Sequence, residues 1–398
     1  MAAVFRAGVK QLIAPNGKCL LSVQLPAISQ SCNITGKSFR GKTADRPKPW
    51  DYKNKGYNVI HSIFDKTRWR WDENSKIIVV DGPIASGKTD FAKSLADELE
   101  MMFMPEPHMD RVYVNSYGFD LRTLNDKLPP ACRSIENKDF LMHPENMYIA
   151  NYQFYMMVMR FHDYIDALAH VFNTGQGVVL ERSIYSDFVF METMFKHGYL
   201  SKNVRSYYHQ IMYHILPELM KPHLAIYLDV PVAEVKNRIK KRNIDYEVNS
   251  KVLTDEYLTT LESIYKQQYL KDISKHAELL VYDWSNYGDA EVVVEDIERI
   301  DFDRFEKHDP KLRDWRLGHE EEYNAKRMWY TNEKPTLMRY LNIPRLDVPE
   351  LMLTADENDI YNTVVAESPG NRYDEGYNED AGDTGLLTKT KTPWIVRE

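Results

Sequence analysis

The spacing of apolar residues divides this chain into a rhythmic centre and two irregular flanks. Residues 76–81, Lys-Ile-Ile-Val-Val-Asp, form a β-branched run of the kind that a buried parallel strand requires. Behind it, Phe91, Leu95 and Leu99 recur at helical spacing. Residues 101–104 predict a short second strand, followed by a long helix from about 145 to 172 that Gly175 and Gly177 terminate. Residues 178–181 predict a third strand, with helices over roughly 188–197 and 203–220 and a fourth strand at 223–229. Pro231 opens a basic helix, 253–274 predict one amphipathic helix, 279–282 a fifth strand and 290–300 a closing helix. Repeated strand–helix alternation implies an α/β fold, a doubly wound five-stranded parallel sheet with helices on both faces. Ligands in such folds bind beyond the carboxyl ends of the strands.

The flanks follow other rules. Residues 1–44 carry Arg6, Lys10, Lys18, Lys37, Arg40 and Lys42 with no acidic residue, a mitochondrial transit-peptide composition. Residues 45–75 hold Trp50, Tyr52, Tyr57, Phe64, Trp69 and Trp71, too aromatic for a disordered segment, and predict an extension that packs on its own core or on a neighbour. Residues 301–398 show no convincing period, although Trp315, Trp329, Tyr330, Leu337, Tyr340, Leu341 and Trp394 suggest a tail wrapping over protein surface. Within it, 374–383 reads as a mobile acidic stretch. The organisation is thus a transit peptide (1–44), an N-terminal extension (45–75), an α/β domain (76–300) and a C-terminal extension (301–398).

A net charge of −8 argues against generic nucleic-acid binding. No apolar run approaches the roughly 18 residues of a membrane span. Cys19, Cys32 and Cys132 have no metal-ligand spacing, and a reducing compartment fits them.

The chemistry concentrates where the predicted strands end. Gly82-Pro83-Ile84-Ala85-Ser86-Gly87-Lys88-Thr89 spells G-x-x-x-x-G-K-T between a strand and a helix, the phosphate-cradling loop of P-loop NTPases. Glycines let Gly82, Ala85, Ser86 and Gly87 bring backbone N–H groups towards phosphate oxygens. The helix N-terminus favours the anion, Lys88 adds charge, and the Thr89 hydroxyl suits Mg²⁺. Glu106 lies between two prolines after the second strand, and Glu181-Arg182-Ser183-Ile184-Tyr185-Ser186-Asp187 follows the third. Gln153 and Arg160 lie seven apart, hence on one face of the long helix. Arg238 and Arg242 sit on the basic helix before a polar, lid-like loop.

Taken together, these motifs resemble the deoxynucleoside kinases over about residues 76–300. The resemblance implies that Glu106 is a general base for a nucleoside 5′-hydroxyl and that Glu181 helps hold Mg²⁺ or a substrate hydroxyl. It also implies that Arg182, with Arg238 and Arg242, grips phosphate, that Gln153 pairs with the base edge, and that Arg160 and Asp187 shape a purine pocket. Two departures stand out. Asp187 is followed by Phe188-Val189-Phe190 where the family has Arg, and the lid reads Arg238-Ile-Lys-Lys-Arg242-Asn-Ile244-Asp-Tyr246-Glu247, with Ile and Tyr in place of an Arg and a Glu. An expected pocket aromatic after Glu106 is absent, with Arg111 near that place. Lid arginines are worth about 10³ to 10⁵ in rate, so this site is expected to bind better than it catalyses.

The deletion after Asp187, the transit peptide and both extensions resemble, within that family, the accessory subunits of mitochondrial complex I. That implies a non-redox structural subunit needed for assembly or stability. It would be docked with other subunits on the matrix side of the membrane arm and would hold a purine (deoxy)nucleotide with Mg²⁺ in the kinase manner. The alternative is an active mitochondrial purine kinase. Flavin (FAD) belongs to descriptions of this group, but no G-x-G-x-x-G fingerprint occurs in the sequence.

Overall fold

The computed structural model describes residues 33–38, 46–305 and 309–385. Its centre is a five-stranded, all-parallel sheet in the order β2-β3-β1-β4-β5. The strands are β1 (Ile77–Asp81), β2 (Met102–Met104), β3 (Val178–Glu181), β4 (Leu224–Asp229) and β5 (Glu278–Asp283). All five lie where the apolar runs predict them. The chain leaves β1 towards β2 on one side and later returns to add β4 and β5 on the other. The order therefore reverses at β1, which puts the glycine loop at the crevice where open α/β sheets bind ligands.

The principal helices are α1 (Val59–Phe64), α2 (Lys88–Glu98), α3 (Ile149–Thr174), α4 (Ile184–Lys196), α5 (Lys202–Ile215), α6 (Val232–Arg242), α7 (Asp255–Ile264), α8 (Ala290–Glu298), α9 (Glu320–Asn332), α10 (Lys334–Arg339) and α11 (Ala355–Ala366). Helices cover both faces of the sheet: α2 packs against α8, and α3 packs against α4, which meets α7. Gly175 ends α3 at φ 75°, and a Cβ there would lie 2.0 Å from the Arg70 carbonyl oxygen. Only glycine permits both the left-handed cap and the close crossing of the N-terminal extension.

Three elements differ from the sequence reading. Helix α4 begins a turn earlier than expected because the Ser183 hydroxyl caps it, accepting from the Tyr185 amide. The single helix expected over 253–274 starts at Asp255 and is interrupted by a π-helical turn, Tyr265–Tyr269, before Leu270–Ile273. The aperiodic tail contains α9, α10 and α11. The stretch 374–383, read as mobile, is pinned instead. Asn378 is fully buried, and its amide and that of Gly376 bond to Asp383 and to the Tyr117 hydroxyl, respectively.

Both extensions pack onto the domain. Trp71 meets Phe172 at 5.1 Å and Tyr323 at 5.0 Å between ring centroids. Arg327 of α9 is wholly buried: its Nε donates to Asn173 Oδ1 at 2.8 Å, its Nη2 to Asp65 at 2.8 Å, and its guanidinium lies 3.6 Å from the Tyr57 ring centroid. One side chain thus joins the N-terminal extension, α3 and the tail. The expected transit peptide lies largely outside the described residues, as do Cys19, Cys32 and Trp394. Its residues 33–38, however, are docked: Ile34 is fully buried, the Thr35 amide donates to Asn74 Oδ1 at 2.8 Å, and the Gly36 amide donates to Glu298 Oε1 at 2.7 Å.

At the base of the sheet, buried His223 accepts the Ile77 amide at Nδ1 (3.0 Å) and packs on Trp315 at 3.9 Å. Burial, aided by Lys76, holds its pKa well below 6.5. The neutral ring is therefore favoured in the fold, while the unfolded chain protonates it near pH 6.5. Its stabilising contribution is complete above that pH and declines as pH falls. Urea unfolding should show stability dropping by up to about 1.4 kcal/mol per pH unit below about 6.5. His223→Gln, which keeps an acceptor for Ile77, should flatten that slope; an unchanged slope would contradict the assignment.

Candidate functional site

The glycine loop leaves β1 and turns into α2 through two left-handed residues, Ala85 at φ 56° and Gly87 at φ 80°. Arg182, at the end of β3, is also left-handed at φ 63°. Non-glycine residues in this region carry strain of order 1 kcal/mol or more, which the surrounding structure must sustain. Both strained residues line one cavity of about 980 Å³ at the carboxyl ends of the strands.

That cavity gathers most of the residues singled out by the sequence. Ala85, Ser86, Gly87, Lys88, Thr89, Glu106, Gln153, Arg160, Glu181, Arg182, Arg238 and Arg242 all line it. Gly82 and Asp187 do not; Gly82 sits against the Leu228 carbonyl at the exit of β1, and Asp187 lies behind the wall, fully buried. Arg111 points elsewhere and pairs with Asp163 and His162. With Asp166, those two make a His/Asp cluster. Arg111 and Lys334 neutralise its carboxylates, so it is a charge cluster on α3 rather than a vacant ligand set.

Arg160, Arg182 and Glu106 form the wall, with Asp187 buried behind them. Arg160 donates to both Glu106 and Asp187, and Arg182 Nε donates to Glu106 at 3.0 Å. Asp187 also accepts from Gln153 Nε2 at 3.0 Å and from the Tyr208 hydroxyl at 2.7 Å. Burial would raise the Glu106 carboxyl, but the charges of Arg182, Arg160 and Lys88 outweigh it and hold the pKa down to about 2. A carboxylate so strongly stabilised is a weak proton acceptor near neutral pH.

The phosphate side is preorganised. Lys88 Nζ donates to the Pro83 carbonyl at 3.0 Å. Burial and the nearby Arg182 lower its pKa to about 8, and an anion in the loop would raise it again. The Thr89 hydroxyl donates to Glu181 Oε1 at 2.9 Å. These hard oxygen donors, beside a phosphate cradle, fit Mg²⁺.

Arg238 departs from the expected phosphate-gripping role. It donates to Glu234, to the Ser86 carbonyl at 3.2 Å, and to the carbonyls of Trp284 (2.6 Å) and Ser285 (2.9 Å). Buried and committed to carbonyls, it braces the loop from behind. Arg242 donates to Glu247 through Nε at 3.0 Å and Nη2 at 2.5 Å. The lid arginines are thus held by the protein itself.

Several contributors escaped the sequence reading. Phe190 lies under both guanidiniums, 5.0 Å from Arg160 and 4.7 Å from Arg182. It stands three residues after Asp187, one helical turn on, and that spacing was the available signal. The π turn brings in the Tyr265 hydroxyl, which accepts from Arg182 at 2.5 Å, and the Tyr269 hydroxyl, which donates to buried Asp81 at 2.6 Å. Tyr287 covers Arg238 at 4.3 Å and abuts Gly87, where a Cβ would lie 2.6 Å from its ring.

Comparison with known proteins agrees with this geometry. The deoxynucleoside kinase family model matches residues 78–315. The chain is 36% identical over 336 residues to the mitochondrial NADH dehydrogenase (ubiquinone) 1 alpha subcomplex subunit 10 of Bos taurus, covering 83% of this chain and 92% of that one. To the Mus musculus protein of the same name it is 37% identical over 339 residues, covering 84% and 90%. To a deoxyguanosine kinase of Dictyostelium discoideum it is 28% identical over 249 residues, covering 63% and 77%.

Arg160 is the hinge of the wall, since its loss leaves fully buried Asp187 without a counter-charge. Removing one partner of a buried pair typically costs about 3–5 kcal/mol. Arg160→Met should therefore destabilise the protein by roughly 3 kcal/mol or more in urea unfolding. A loss below about 1 kcal/mol, the range of an exposed pair, would show that Asp187 needs no such partner.

Proposed function

The chain belongs to the deoxynucleoside kinase family, and from that premise we propose that it is a non-redox accessory subunit of mitochondrial complex I. In this reading it keeps the family's pocket for a purine (deoxy)nucleotide with Mg²⁺ and does not transfer phosphoryl groups. The observation that carries the second half is the commitment of the lid: Arg238 is spent on backbone carbonyls and Arg242 on Glu247. Arg238 is buried and offers no free guanidinium to a migrating phosphoryl group, and Arg242 must first exchange its Glu247 partner; such contacts accelerate these transfers most. The low basicity of Glu106 supports the same view. The first half is supported by similarity over most of both chains to relatives named as subunits of the NADH dehydrogenase (ubiquinone) complex.

The site residues take the following roles. Ala85, Ser86, Gly87 and Lys88, with Gly82 at the turn, hold the phosphates, and Thr89 with Glu181 holds Mg²⁺. Gln153, oriented by Asp187, faces the base, while Arg160 and Arg182 position Glu106. No helix among the described residues is long and apolar enough to cross a membrane. That is consistent with a peripheral position on the matrix side of the membrane arm, in contact with other subunits. A presequence that ended at residue 44 would remove docked Ile34, so the mature N-terminus lies ahead of Asn33 in this reading.

Two measurements test the proposal. With Mg-ATP and purine deoxynucleosides, the purified protein should turn over far below about 1 s⁻¹, the lower end for kinases. Turnover at that rate, abolished by Glu106→Gln, would establish the kinase instead. Purine nucleotides should raise the melting temperature, by the equivalent of about 2.7 kcal/mol at a hundredfold excess over Kd. Lys88→Ala should remove that rise. N-terminal sequencing of the mitochondrial protein should read a start before Asn33; a start at or after residue 45 would refute the boundary.

A further inference from the structure

Helix α1 is amphipathic in the wrong sense for a monomer. Its apolar side chains Val59, Ile60, Ile63 and Phe64 are 64–77% exposed, while His61 turns inward to pack, tilted, against Trp50 at 4.8 Å. Trp69, half exposed, extends the same surface beyond the helix. The ridge is held rigidly. The Tyr57 hydroxyl donates across the helix to the Asp65 carbonyl at 2.6 Å, and both residues are fastened to buried Arg327. Contiguous apolar surface of this kind marks an interaction site.

The segment that carries the ridge is basic, although Glu320, Glu321 and Glu322 of α9 lie towards its Thr67–Arg68 end. Lys48, Lys53, Lys55, Lys66 and Arg68 are exposed, against Asp51 as the one exposed acid between residues 46 and 71, in a protein of net charge −8. The Lys66 ammonium lies 5.5 Å from the Trp69 ring centroid. An apolar ridge with an aromatic shoulder and long basic side chains at its base matches the water–lipid boundary. There the apolar groups enter the acyl region while Lys and Arg reach anionic headgroups.

We propose that this ridge, residues 59–69 with its basic rim, is a docking surface for an anionic lipid bilayer. The inference goes beyond the subunit assignment and does not depend on it, since it stands on α1 alone. A convex ridge with outward-pointing aliphatic side chains and positive charge at its base favours a deformable anionic surface over a preformed protein groove.

The test is sedimentation of the full chain with phosphatidylcholine vesicles, with and without cardiolipin. Binding should require cardiolipin and weaken with salt. Ile60→Asp/Phe64→Asp and Lys66→Glu/Arg68→Glu should each reduce it by on the order of tenfold, with melting temperatures unchanged. The basic residues of 1–44 are present in every variant, so they cannot produce a difference between them. Two results would overturn the proposal: variants that sediment like the unaltered chain, or variants that keep vesicle binding but fail to assemble with membrane-arm proteins. The second would identify the ridge as a protein interface.

Discussion

The pairing of buried charge governs this molecule. Arg160, Arg182, Glu106 and Asp187 meet at the carboxyl edge of the sheet, where water is scarce and an unpaired charge costs several kcal/mol. Each charge is paired within the group, with Gln153, Tyr208 and Tyr265 taking up further hydrogen bonds and Arg160 Nε alone left without a partner. Such a network is stable only when complete. It therefore gives a reason for residues of a kinase site to persist where catalysis does not: removing any one leaves its partners stranded. Retained catalytic residue types are then weak evidence of retained catalysis, and the direction in which each side chain is committed is the better guide.

The lid illustrates the same point. An arginine that closes on phosphate must exchange its resting partners for the substrate, so weakly held partners suit it. Arg238 instead grips three backbone carbonyls around the glycine loop and the segment after β5. It stiffens the cradle at the expense of mobility. A rigid cradle suits holding a ligand, whereas a catalytic cycle needs opening and closure.

Much of this was legible in the sequence, for identifiable reasons. Strands β1 and β3 announced themselves because a strand buried on both faces demands a continuous β-branched run, as in residues 77–80 and 178–179, whereas the others were legible as short apolar runs. The glycine loop was legible because its residues are contiguous. Helix α9 was not, because a charge, Arg327, occupies its most buried position and erases the hydrophobic period. Helix α11 has no buried residue and so no stripe to read. The π turn at Tyr265–Tyr269 adds a residue to a regular pattern without altering the composition. Contacts such as Tyr287 with Gly87 and Tyr265 with Arg182 join distant segments, and local spacing carries no record of them.

Arg327 has a consequence for the order of events in folding. Tyr57 and Asp65 meet it across 262 or more positions of chain, although Asp65 also has a local partner in Arg70. A polypeptide threaded N-terminus first through a membrane pore would present its aromatic extension to the other side long before residue 327 followed. The sheet can form in the interval, since its strands are complete by residue 283. The extension can meanwhile settle on α3 through Trp50, Tyr52 and Trp71, but α1 is not tied to α9 until the stitch is closed. The last third of the chain thereby acts as a timer: the surface most prone to stick to other things becomes rigid and correctly presented only after the whole molecule has arrived.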